Sequence, residues 1–350
     1  MAAAQDPASV CGGVTNGWTN AVASGKPAQI AAARKAARQL SGPCPNLQQR
    51  IANYDAEVKQ KAERDRKAEQ QREAARLAAE QEQARARQRE AERAAAEAKA
   101  IEAQRALNTA RQTLDNISPS EWVNTPSLEI ANKVLRTVKP PALLALAEQG
   151  DARAQAIVGR LYDGGQGSFA VSKTDAARFY RLAANQGNAI AQNNLGLMHY
   201  NGEGGLAVNK AEAVRLYRLA ANQGLPGAQS NLGWMYETGE GGLAVNKAEA
   251  VRLYRLAADQ GSAYGQVSLG LMYDRGEGGL AVDKAEAVRL FRLAAEQGNA
   301  AAQFSLGWMN ETGQGGLSVN KAEALRLYRL ASAQGNEIAK QNLARLGEKP

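Results

Sequence analysis

Gly150, Gly187, Gly224, Gly261, Gly298 and Gly335 are spaced by 37 residues every time, with no insertion. Five full copies lie between them, typified by GNAIAQNNLGLMHYNGEGGLAVNKAEAVRLYRLAANQ at 187–223, and a half-copy runs from Gly335 to Pro350. A unit this short cannot bury an apolar face alone, so the period restricts the fold to stacked units that supply one another's core. Each copy carries two helical patterns around a glycine-rich turn. The first puts Ala191, Leu195 and His199 on one face, and the second puts Ala213, Leu216, Tyr217 and Ala220 on one face.

The second helix opens on Asn209-Lys210-Ala211-Glu212, a capping-box sequence in which Asn209 caps and Glu212 is expected to reach back. The device recurs at Asn246/Glu249, Asp283/Glu286 and Asn320/Glu323, with Ser172/Asp175 as a shorter version. These carboxylates therefore read as structural. The turns such as Gly202-Glu203-Gly204-Gly205 lie between two helices, without the strand and frame a phosphate loop needs; they read as helix ends.

The pattern A-x-x-x-L-G-x-x-Y-x-x-G-x-G followed by K-A-x-x-x-x-x-Y/F-x-x-A-A-x-x-G, seen for example at Leu232-Gly233, Tyr236, Gly239 and Gly241, resembles the Sel1-like repeat. That family is a short relative of the tetratricopeptide repeat. The resemblance covers 150–350 and implies an all-α, right-handed α/α superhelical solenoid, a non-enzymatic adaptor role and a protein or peptide partner.

The rest of the chain differs in composition. No glycine falls between Gly42 and Gly150, and neither Gly nor Pro occurs from Asn46 to Ser118. That stretch is rich in Ala, Glu, Gln, Arg and Lys, the best helix formers. Pairs such as Glu63/Lys67, Glu69/Arg72 and Glu82/Arg85 have the spacing that supports a solvated helix. Leu47, Ile51, Tyr54 and Val58 offer a short seam, but large apolar residues are then sparse, so a spacer helix is favoured over a weak oligomer built on this helix. Four parts are expected: 1–46, a small helical segment with two Cys; 47–118, the long helix; 119–149, a helical connector; and 150–350, the solenoid. In the connector Ser118-Pro119-Ser120-Glu121 and Thr125-Pro126 read as caps followed by proline, and Pro140-Pro141 ends one helix and opens another.

One histidine and two cysteines exclude a zinc cage within one chain and leave His199 as the sole candidate catalytic base. His199 occupies the slot filled by Tyr162, Tyr236, Tyr273 and Asn310 in other copies, so packing is the simpler reading. No enzyme activity, cofactor or metal is expected. No run of 18 apolar residues occurs, so no transmembrane segment is expected. Cys11 and Cys44 flank a helical segment, Lys26 to Leu40, ended by Ser41-Gly42-Pro43, and would staple it if paired. No leader with an apolar stretch is visible at Met1, although Met1 could have been added to a mature chain. A periplasmic or secreted location is favoured over a cytoplasmic one.

An arginine ladder on the second helices, Arg178/Arg181 through Arg326/Arg329, would suit a polyanion or polysaccharide. Yet 150–350 holds 21 basic and 18 acidic residues, so nucleic acid is not favoured. On the first helices two slots drift between copies: Ile157, Asn194, Asn231, Ser268 and Ser305, and Arg160, Leu197, Trp234, Leu271 and Trp308. In tetratricopeptide-like arrays these helices line the concave side, where drift reads as partner recognition. Trp234 and Trp308 are the expected anchors, with Tyr264, Asn194 and Asn231 as polar neighbours. The chain thus reads as an adaptor, expected to be bacterial and to serve envelope signalling or assembly. A polyanion binder and a structural envelope spacer remain the alternatives.

Overall fold

The computed structural model describes residues 7–40, 44–124 and 127–348, all as helices and their connections. The cap at Thr125-Pro126, the ending Ser41-Gly42-Pro43 and the residues around Met1 lie outside the described residues. The chain divides into two compact units, Met1–Glu97 and Ala98–Pro350, and the long helix α3 (Pro45–Asp115) contributes to both.

In the first unit α1 (Pro7–Ser24) and α2 (Pro27–Arg38) pack against the start of α3. A disulfide joins Cys11 to Cys44, with Cα atoms 6.0 Å apart. Trp18, Ile30, Ala37 and Leu47 are buried around it, and the Trp18 and Tyr54 rings meet edge-on at 5.6 Å. Leu47, Ile51 and Tyr54 therefore have partners within this small unit, while Val58 is half exposed. Residues 55–105 of α3 are exposed throughout. The pairs Glu63/Lys67, Glu69/Arg72 and Glu82/Arg85 do not close; Arg76–Glu80 at 2.9 Å and Gln88–Glu92 at 2.9 Å do. Exposed ion pairs gain little over hydration, so which of them close is weakly determined.

In the second unit Ala110, Leu114 and Ile117 at the end of α3 join the core of α5 (Ser127–Leu135), α6 (Pro140–Glu148) and the first repeat. Ser118 Oγ accepts from the Glu121 amide at 3.2 Å and so caps α4 (Pro119–Asn124). The repeats follow as 13-residue helices: α7 (Ala152–Gly164) and α8 (Lys173–Asn185), α9 (Ala189–Asn201) and α10 (Lys210–Asn222), α11 (Pro226–Thr238) and α12 (Lys247–Asp259), α13 (Ala263–Arg275) and α14 (Lys284–Glu296), α15 (Ala300–Thr312) and α16 (Lys321–Ala333). The half-copy supplies α17 (Glu337–Arg345). The architecture is an all-α solenoid.

Within each pair the helices come close because a glycine faces an aromatic ring. A Cβ on Gly233 would stand 2.8 Å from the Tyr254 ring. Between pairs the turn makes the contact. Gly239 ends α11 at φ 70°, and Gly241, at φ 65°, lies against the preceding repeat, where a Cβ would meet the Lys210 carbonyl at 2.6 Å. An ion pair crosses the same junction, Lys210–Glu240 at 2.6 Å, with Lys247–Glu277 at 2.8 Å one repeat on.

The capping boxes form by halves. Asn209 Oδ1 accepts from the Glu212 amide at 3.0 Å, but Glu212 does not reach back. The Asn209 amide donates to the His199 carbonyl at 2.8 Å, closing the turn onto the first helix, and the Glu212 carboxylate takes Arg215 in two bonds of 2.8 and 2.7 Å. Asn246/Glu249, Asp283/Glu286 and Asn320/Glu323 repeat this arrangement.

Candidate partner-binding surface

The first helix of each repeat buries one face on its own second helix through Ala, Leu, Gly and Met, and leaves the opposite face open. That face carries positions spaced i, i+4, i+7: Ile190, Asn194, Leu197 on α9; Gly227, Asn231, Trp234 on α11; Tyr264, Ser268, Leu271 on α13; Ala301, Ser305, Trp308 on α15; among them Ile190 is buried and Asn194, Asn231, Ser268 and Ser305 are half-buried. First helices also pack on one another, α7 on α9 and α11 on α13. On the other side, second helices are separated by clefts: about 440 Å³ beside Arg181, His199 and Arg215, and about 390 Å³ beside Arg255, Tyr273 and Arg289. Elements that crowd on one side and part on the other describe a curved array with the first helices inside.

Along that inner side runs a row of exposed apolar residues. Leu197 is 44% exposed, Trp234 38% and Trp308 36%, with Leu271 half-buried between them. Single exposed apolar residues are ordinary, but a row in register along a concave face is a candidate docking strip. The Trp234 ring meets Tyr200 edge-on at 5.4 Å. Trp308 lines a pocket of about 210 Å³ with Leu271, Asp274, Phe291 and Phe304.

The expected polar neighbours lie elsewhere on the same face. Tyr264, 74% exposed, and Asn194 share a cleft of about 430 Å³ with Ile190, Pro226 and Ser127 of the connector. Asn231 Nδ2 donates to Asn193 Oδ1 at 2.9 Å, and Asn193 Nδ2 to Asn194 Oδ1 at 3.3 Å, while Asn194 Nδ2 is buried without an acceptor. Neither tryptophan lines this cleft, so the five residues fall into three neighbourhoods.

His199 sits half-buried on the outer side, with Nδ1 buried and unpartnered. No serine, cysteine or second histidine lines its cleft, so the residues there do not assemble a nucleophile and base. The arginine ladder is exposed, but Arg215, Arg252, Arg289 and Arg326 are each tied to a glutamate three residues earlier at 2.6–2.7 Å. Four of the ladder's ten arginines are thus neutralised locally. No helix among the described residues is long and apolar enough to cross a membrane.

Comparison with known proteins agrees with this geometry. The Sel1 repeat matches residues 152–188, 189–225, 226–262, 263–299 and 300–336, more than half of the chain and one match per helix pair. The chain belongs to the Sel1 repeat family. Among solved structures it is similar to a Sel1 repeat protein from Oxalobacter formigenes, with 27% identity over 69% of this chain and 89% of that one, at a TM-score of 0.52. It is also similar to c5321, a protective antigen of uropathogenic Escherichia coli with an SLR fold, with 27% identity over 69% of this chain and 59% of that one, at a TM-score of 0.47. A search of curated proteins returns no match. Sel1 repeats are a non-enzymatic scaffold fold, and proteins built from them generally act in protein interactions.

Several residues of these Sel1 repeats escaped the sequence reading. Gln155, Gln192, Gln229, Gln266 and Gln303 occupy one slot in all five copies and are buried, each accepting from the glutamine that ends the second helix 31 residues later. Their repetition was the available signal. Tyr200, Asp274 and Phe304, which flank the two tryptophans, vary between copies and carried no such signal.

Proposed function

We propose that the protein is a non-enzymatic adaptor that binds a polypeptide partner along the inner face of its Sel1 repeats, with Trp234 and Trp308 as anchors and Tyr264, Asn194 and Asn231 as polar contacts. The observation that supports this most is the row of exposed Leu197, Trp234 and Trp308 with half-buried Leu271 between them, in register on the inner face. Tryptophans with one face packed and the other open contribute most to binding in such settings, more than contact area does. The neutralised arginines speak against the polyanion alternative. The Cys11–Cys44 disulfide favours an oxidising compartment, and an envelope location in a bacterium is part of this proposal.

A pull-down from the source cells with the full chain and with a Trp234→Ala/Trp308→Ala variant tests the reading. Loss of one dominant protein partner, with an unchanged melting curve, is the expected result. An identical partner list for both would remove the groove as the working surface.

A further inference from the structure

The two tryptophan sites differ in one feature. In most repeats the thirteenth residue after the leading glycine is a carboxylate, and an aromatic residue of the second helix lies beneath it. Glu237 accepts from the Tyr254 hydroxyl at 2.7 Å, and Glu311 accepts from the Tyr328 hydroxyl at 2.9 Å and from Arg345 at 2.5 Å. Asp163 is held by Lys173 at 2.6 Å. In the fourth repeat the aromatic residue is Phe291, which has no hydroxyl. Asp274 Oδ1 is accordingly buried without a hydrogen-bond donor. The nearest cation, Lys284 Nζ, stands 3.9 Å away and donates to Gln314 instead.

This carboxylate lines the pocket of about 210 Å³ formed by Leu271, Phe291, Phe304, Ser305 and Trp308. Asp274 has one oxygen without a donor while its side chain keeps 22% exposure, so the carboxylate is still open to a cation, and aromatic faces attract cations. At Trp234 the equivalent position is Tyr200, whose ring packs on the indole and has Lys210 Nζ 4.9 Å from its centroid, so that position offers no carboxylate. We infer that the Trp308 pocket receives a lysine or arginine side chain of the partner polypeptide, its aliphatic stem against Leu271 and Trp308 and its cation on Asp274. The inference rests on the reading of this face as a polypeptide-binding surface and specifies one residue class of the partner.

The test follows the indole N–H resonances of the full chain at low ionic strength during titration with N-acetyl-arginine amide, N-acetyl-lysine amide and N-acetyl-norleucine amide. The Trp308 resonance should respond to the two cationic amides about three- to tenfold more tightly than to the norleucine amide, the range expected for a cation on an aromatic face with a carboxylate partner. The Trp234 resonance should not discriminate. Asp274→Asn should abolish the preference. Phe291→Tyr should also reduce it, because tyrosine fills that slot in the other four repeats without disturbing the fold and would give Asp274 its hydroxyl. Equal response to all three amides, no response at Trp308, or an unchanged preference in Asp274→Asn overturns the inference. If the tryptophans are still required for partner capture in that event, only this inference falls; if they are not, the polypeptide-binding reading falls with it.

Discussion

Gln260 donates through Nε2 to Oε1 of Gln229 at 2.8 Å, tying the end of α12 to the first turn of α11 in the same repeat. The bond recurs in every full repeat at 2.7–2.9 Å, and in the first two copies the acceptor glutamine also donates to a carbonyl of the preceding element, Ala147 or Ala184. At Gln192 the bond therefore connects one repeat to the next, and at Gln155 it connects the first repeat to α6. Replacing Gln229 by Leu fits the volume but deprives the Gln260 amide of its acceptor, at a cost of about 1–2 kcal/mol. A lowered urea midpoint of the repeat unit is expected, and a midpoint equal to the parent's would show the bond to be incidental.

The junction glycines give a sharper contrast. At Gly241 a methyl group would meet the Lys210 carbonyl at 2.6 Å and Val214 at 2.7 Å, whereas at Gly242, with φ 82°, nothing lies within 4 Å. Both substitutions incur the left-handed backbone cost of about 1–2 kcal/mol. Gly241→Ala adds a clash with backbone that parts two repeats, so its loss of thermal stability should clearly exceed that of Gly242→Ala. Equal losses would mean the junction is looser than described.

The array was legible because its 37-residue period is uninterrupted and its apolar spacing is helical throughout. The caps were half legible: Asn209 announces the helix start, but that its amide serves the His199 carbonyl depends on how the turn folds back. Trp234 and Trp308 were visible as variation within a fixed frame. Asp274 was not, since its lack of a donor follows from the missing hydroxyl on Phe291, 17 residues away and adjacent only after folding. In the half-copy the slot of the glutamine column is the exposed Lys340.

Acid should loosen the repeats in a defined window. Hydrogen bonds from Arg215, Arg252 and Arg326 hold the carboxyls of Glu212, Glu249 and Glu323 below their ordinary value of 4.5. A lowered folded pKa means stability that is present above 4.5 and lost as pH falls through the lowered value. These pairs are solvent-exposed, so each contributes only a few tenths of a kcal/mol, less in salt. Urea midpoints should be flat between about pH 7 and 5 and decline below, and the triple Glu→Gln variant should decline less steeply. The same slope in the variant would contradict this assignment.

Reduction should act on the first unit alone. The Cys11–Cys44 bridge spans 33 residues of sequence and ties a core of few residues, so opening it should cost about 3–4 kcal/mol there. Hydrogen exchange of α1 and α2 should accelerate on reduction while the repeats keep their protection. Unchanged protection of α1 would show that Trp18 and Leu47 suffice to hold it.

The central claim, that a polypeptide lies along the inner face of the first helices, is tested most directly by position. A photo-crosslinking residue placed at Leu197 or at Ser305 should capture one dominant polypeptide in the source cells, and the adduct should vanish when Trp234 and Trp308 are both alanine. The same residue at Arg255, on the exposed side of α12, should capture none. An adduct at 255 and none at 197 or 305 would place the working surface on the outside of the array and contradict the account.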